Sequence, residues 1–154
     1  MEINPSNMVE RSVFIAAQPE KIFPYFTDPA LMARWMGSTV RLDPRPGGIY
    51  QVIINQQDVA QGNFVEIDPP HRVVFTFGWQ GAGSPLPPGS STVEITLEAS
   101  GGGTLVRLRH MDLPVNMRIL QAQGWEHYLG RLGMAAVGED PGPDPFAEPG
   151  GMNE

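Results

Sequence analysis

A chain of 154 residues, 41% hydrophobic and without cysteine, is long enough for one domain with its own core and needs no disulfide to hold it. The missing cysteines exclude a thiol nucleophile and a cysteine zinc site, and they fit a reducing cytoplasm, the expected location. A net charge of −7 without a basic patch argues against nucleic acid and anionic membrane as partners.

The first residues, 1–9, lack a basic segment followed by an apolar run, so no signal peptide is expected, and no stretch approaches the length of a membrane span. Residues 8–16 read as a first strand. Pro19 then suits the first turn of a helix, with Glu20 at its positive end and Ile22, Phe23 and Phe26 on one face. Pro24 keeps this helix short. Asp28 and Pro29 restart a second short helix as N-cap and first residue. Leu31, Met32, Trp35 and Met36 give it a buried stripe, and Gly37 ends it.

A strand-rich middle follows. Strands are expected at residues 39–43, 49–55, 59–67 and 72–79, broken by Pro44 to Gly48, by an Asn55–Asp58 turn and by Asp68-Pro69-Pro70. Residues 80–91 form a Gly/Pro/Ser loop. Residues 92–99 alternate, with Val93, Ile95 and Leu97 on one face and Glu94, Thr96 and Glu98 on the other. Gly101-Gly102-Gly103 turns the chain into a last strand at 104–111. A long helix is expected at 116–137, with Asn116 as N-cap and Leu120, Trp125, Leu129, Leu132 and Ala136 near one face. Residues 1–137 form the domain. Residues 138–154, rich in Pro, Gly and acidic side chains, read as a disordered tail.

Consecutive hairpin-linked strands imply an antiparallel sheet, and the closing helix must bury a face against it. An ordered set of short signatures points the same way: Ala17 to Phe23, Thr27-Asp28-Pro29 with Trp35, Pro46-Gly47-Gly48, Gly62 with Ile67 to Pro70, Val73 to Phe77 with Trp79, and Gly124-Trp125. Their order and spacing, over roughly residues 8–137, resemble the activator of Hsp-90 ATPase homology family, a branch of the START-like (SRPBCC) superfamily. The resemblance implies an α+β helix-grip fold, in which a curved antiparallel sheet of about seven strands, with two short helices, wraps a long C-terminal helix. It also implies a cavity between sheet and helix.

The sequence holds no phosphate-binding glycine loop, since the Gly101–Gly103 run lies between strands. His71, His110 and His127 lack metal-ligand spacing, so neither a metal nor a cofactor is expected. His110 shares a strand phase with Val106 and Leu108. It reads either as a polar anchor or proton donor in the cavity, the one weak catalytic candidate, or as a histidine bonded to backbone near a strand end. Glu126 and His127 read either as a cavity-facing acid–base pair or as the solvated flank of the helix. The expected ligand-binding residues are Tyr50, Val52, Trp79, Val93, Ile95, His110, Trp125 and Leu129, with the Tyr50 hydroxyl and Trp79 indole orienting the ligand. Phe75 and Phe77 read as ordinary core.

Three functions stay open at this stage. The first is binding of a small hydrophobic, aromatic or lipid-like molecule, as in related START-like proteins. The second is a co-chaperone-like interaction module, since the eukaryotic members that name the family stimulate the Hsp-90 ATPase. The third is a polyketide cyclase or aromatase-like enzyme built around His110. An exposed sheet edge would also allow a homodimer. A carrier predicts an enclosed cavity, an interaction module a filled core with an exposed apolar patch, and an enzyme a His110–carboxylate pair.

Overall fold

A computed structural model describes residues 8–147. Its seven strands form one antiparallel sheet in the order β1-β7-β6-β5-β4-β3-β2. They are β1 (Val9–Ile15), β2 (Thr39–Leu42), β3 (Ile49–Ile53), β4 (Val59–Asp68), β5 (Arg72–Phe77), β6 (Ser91–Ser100) and β7 (Gly103–Met111). Strands β1 and β2 are the edges. Two short helices, α1 (Pro19–Ile22) and α2 (Pro29–Met32), follow β1, and the long helix α3 (Arg118–Ala135) closes the domain. This is the helix-grip arrangement expected from the sequence.

Local chemistry explains the punctuation. The Asp28 carboxylate accepts from Ala30 N–H at 2.9 Å and caps α2, with Pro29 in its first turn. Gly37 ends that segment at φ 88°, a conformation that a β-carbon disfavours. The start of α3 differs from expectation. Residues Val115–Met117 form a 3-10 turn, α3 begins at Arg118, and no side chain caps it. Asn116 is exposed and does not serve as the cap.

Alternation along β6 and β7 sorts the side chains. Val93, Ile95, Leu97, Val106, Leu108 and His110 are buried on the helix side of the sheet. The opposite face carries cross-strand ion pairs: Arg72 with Glu66 and Glu94 at 2.6 Å, and Arg109 with Glu10 at 2.8 Å. The acidic partners hold both guanidiniums above their ordinary range. From α3, Gln121, Trp125, Tyr128, Leu129, Leu132 and Ala135 face the sheet. Leu120, expected in that stripe, is 39% exposed, and Gln121 takes its place.

The chain after α3 is docked as far as Ala147 rather than loose from Gly138. Asp144 accepts from the Tyr128 hydroxyl at 2.7 Å and pairs with His127 at 2.8 Å. The Phe146 ring lies 4.4 Å from that of His127, and its carbonyl accepts from Asn55 at 2.9 Å. Arg131 donates to the carbonyls of Trp35, Pro141 and Pro143. A composition poor in apolar residues still anchors when a few specific side chains find partners. The rest of the expected tail, 148–154, lies outside the described residues.

Candidate functional site

The space between sheet and helix is filled by rings. Tyr50 stacks on Phe75 at a centroid distance of 4.0 Å, and Phe64 packs edge-on against Tyr50 at 5.8 Å. Tyr50, Val52, Val93, Ile95 and Leu129 are all 2% exposed or less. They belong to the buried core and line neither of the openings described below. Burial pushes the Tyr50 hydroxyl well above its ordinary value.

His110 is also interior, with no exposed surface. The Trp125 indole N–H donates to its Nδ1 at 3.0 Å. An indole nitrogen can only donate, so Nδ1 carries the lone pair and the proton sits on Nε2. Nε2–H then donates to Ser91 Oγ at 2.8 Å, and the Ser91 hydroxyl donates to the Phe77 carbonyl at 2.7 Å. Every polar atom in this chain is used, and no carboxylate takes part. Burial lowers the His110 pKa to about 3, so the ring is neutral at physiological pH. This arrangement ties β5, β6, β7 and α3 together and gives both His110 nitrogens buried partners. Glu126 and His127 do not form a pair either, since Glu126 bonds Arg11 at 2.6 Å and His127 bonds Asp144.

One opening lies at one end of α3. A groove of about 340 Å³ runs between the β3–β4 turn, the loop after β5 and the start of α3. Its apolar wall is Trp79, Ala82, Pro85, Met117 and Leu120, and its polar rim is Gln57, Asp58, Gln80 and Ser84. Trp79 is half-buried and packs edge-on against Phe77 at 5.5 Å, which in turn lies 5.6 Å from Trp125. A narrow crevice of about 10 Å³ adjoins the groove and shares Trp79 and Leu120 with it. Its walls also include Met36, Phe77, Gln121, Trp125 and Tyr128. Of the expected ligand-binding residues, Trp79 and Trp125 therefore reach these openings, while the other six are in the core.

The loop over the groove is pinned at both ends. Trp79 N–H donates to the Leu86 carbonyl at 2.7 Å, Gln80 N–H donates to the Val59 carbonyl at 2.9 Å, and Leu86 is buried as a plug. Between these anchors Gly81 and Gly83 adopt φ of 128° and 74°. Gly78 lets the two arms of the loop meet, since a β-carbon there would lie 1.8 Å from the Pro87 carbonyl oxygen. Gly78→Ala is expected to destabilise by about 2–3 kcal/mol through forced backbone displacement, read by urea denaturation. An unchanged midpoint would contradict this close approach.

Leu120, which lines the groove, and Gln121, which lines the crevice, are not among the residues expected from the sequence to bind ligand. The available signal was Gln121, a polar residue one turn before Trp125 on an otherwise apolar face.

The family model described as activator of Hsp90 ATPase homolog 1-like protein matches residues 16–136. The solution structure of the AHSA1-like protein RHE_CH02687 from Rhizobium etli is 47% identical, with a TM-score of 0.70 over 90% of this chain and 87% of that one. CalU16 from Micromonospora echinospora is 26% identical, with a TM-score of 0.69 over 89% of this chain and 82% of that one. DynU16, a protein of the dynemicin biosynthetic locus, shares the fold at 20% identity and a TM-score of 0.77 over 90% of this chain, which spans 50% of the DynU16 chain. No curated protein sequence matches significantly. The match over most of the domain, together with a helix-grip sheet and closing helix, means that this chain belongs to the activator of Hsp90 ATPase homolog 1-like family, within the START-like superfamily.

Proposed function

We propose that this domain binds a small hydrophobic molecule, aromatic or lipid-like, in the groove between the loop after β5 and the start of α3. The supporting observation is the groove itself: about 340 Å³, walled by Trp79, Met117 and Leu120 and rimmed by amide and carboxylate side chains. That size and that mixture of an apolar wall with a few polar groups suit a small organic ligand. The ligand enters at the mouth of the fold rather than into its centre, because the rings of Tyr50, Phe64, Phe75 and Phe77 occupy the centre.

Native mass spectrometry of the purified protein against its denatured mass tests this reading. The expected result is a co-purifying small molecule that is lost from Trp79→Ala. Because Trp79 is half-buried just beyond β5, its truncation is expected to cost less stability than a core tryptophan, about 1–2 kcal/mol, while weakening binding about tenfold or more. A bound molecule retained unchanged by Trp79→Ala would place the ligand elsewhere.

One observation favours a second reading, in which the same rim docks a protein such as a chaperone. Val115 is 63% exposed, Ile119 72% and Leu120 39%, all within six residues at the start of α3. Exposed apolar side chains grouped in this way are what a protein contact would cover. A pull-down that is lost in Ile119→Asp while small-molecule binding is retained would separate the two readings.

A further inference from the structure

Gln121 is 4% exposed, and its side-chain Nε2 makes no hydrogen bond among the described residues. A buried amide donor without a partner is uncommon in a folded protein, because removing it from water is unfavourable unless a hydrogen bond replaces the lost hydration. Gln121 lines the narrow crevice that adjoins the groove. None of the other walls accepts a hydrogen bond from it. Phe77, Leu120 and Met36 are apolar side chains, the Trp125 indole N–H is itself a donor and serves His110, and the Tyr128 hydroxyl, which donates to Asp144, is not its partner. The crevice, about 10 Å³, is close to the space that one oxygen atom needs. A lone water there would find Gln121 and at most the Tyr128 oxygen as polar partners, where buried waters ordinarily have about three. An oxygen carried on an apolar body is held in place by that body and needs only the one donor.

We propose that Gln121 is the specificity determinant of the groove, and that it selects hydrophobic ligands bearing a carbonyl-type acceptor oxygen, which enters the crevice while the apolar body rests against Trp79 and Leu120. This rests on the ligand-binding reading above and names the ligand's chemistry. It also explains a polar residue on the buried face of α3, where methionine or leucine would pack without an unpaired donor.

The test compares 2-acetylnaphthalene with 2-ethylnaphthalene, which has a similar shape but no oxygen, in NMR titrations of the wild-type protein and of Gln121→Met. The ketone is expected to bind the wild type about tenfold more tightly than the hydrocarbon, the worth of one buried hydrogen bond. The preference is expected to vanish in Gln121→Met, whose melting temperature stays equal or rises because the unpaired donor is gone. In the wild type, the Gln121 side-chain amide protons are expected to shift with the ketone and stay in place with the hydrocarbon, a readout that does not depend on the variant folding. Equal affinity of the two probes for the wild type, or a ketone preference that survives in Gln121→Met, would overturn the role of Gln121 and leave the groove as a ligand site. Failure of both probes to bind the wild type would overturn the ligand-binding reading, and the inference with it.

Discussion

Trp125→Ala is expected to lower the free energy of unfolding by about 3–5 kcal/mol. The side chain is 3% exposed and packs between Phe77 and His110 at the centre of the contact between α3 and the sheet. Truncation opens a large cavity beneath a helix whose intrinsic stability is already lowered by Gly124, Gly130 and Gly133. It also deprives His110 Nδ1 of its donor and leaves a buried acceptor unpaired. Trp125→Phe separates these effects, since it keeps most of the ring volume and drops the N–H. It should cost about 1–3 kcal/mol. Urea denaturation of the three proteins checks both values. A loss below about 1 kcal/mol for the alanine variant would contradict the packing of α3 against the sheet.

The second large effect is a loss of stability in mild acid. His110 is neutral in the folded protein, with its pKa lowered to about 3 by burial, whereas in the unfolded chain it titrates near the ordinary histidine value of about 6.5. Between those two values the unfolded chain binds a proton that the folded protein does not. Stability from this group is therefore fully present above about pH 6.5 and falls as the pH drops towards 3, by about 1.4 kcal/mol per pH unit. From pH 6.5 to pH 4 the contribution is about 3 kcal/mol. His110→Gln, which removes the titrating ring, should flatten the acid limb of stability against pH relative to the wild type. Imidazole nitrogen shifts report the same thing directly. They should show the Nε2–H tautomer unchanged from pH 7.5 to pH 4.5, and titration near pH 6.5 in the folded protein would contradict the buried chain from Trp125 to Phe77.

Strands were legible where a single rule governs the side chains. Val93, Ile95 and Leu97 alternate with Glu94, Thr96 and Glu98 because one face of β6 meets the core and the other meets the cross-strand arginines. The same period placed His110 inward, in phase with Val106 and Leu108. The stripe of α3 was harder to read. One residue turns a helix by about 100°, so choosing Leu120 instead of Gln121 rotates the inferred face, and the three glycines leave few apolar positions to correct it.

The groove was legible only in part, for a different reason. Its volume depends on how rings fill the interior, and no sequence pattern encodes that Tyr50 stacks flat on Phe75. Residues that share a phase with the cavity side were therefore read as walls when they are core. Trp79 could be found because it ends a strand beside a glycine-rich loop, where a ring is half-covered and half-available. The docked segment up to Ala147 escaped a compositional reading, because its anchors are single partners: Asp144 on Tyr128 and Phe146 on His127.

The most direct test of the central claim is an NMR titration of the wild-type protein with 2-ethylnaphthalene, mapped residue by residue. Saturable shifts are expected only at Trp79, Gln80 to Pro85, Met117 and Leu120, with Tyr50, Val93 and Ile95 unmoved. Shifts centred on Tyr50, Val93 and Ile95 would mean that the core opens to admit ligand, and no saturable shift with either 2-ethylnaphthalene or 2-acetylnaphthalene would mean that the groove is not a binding site.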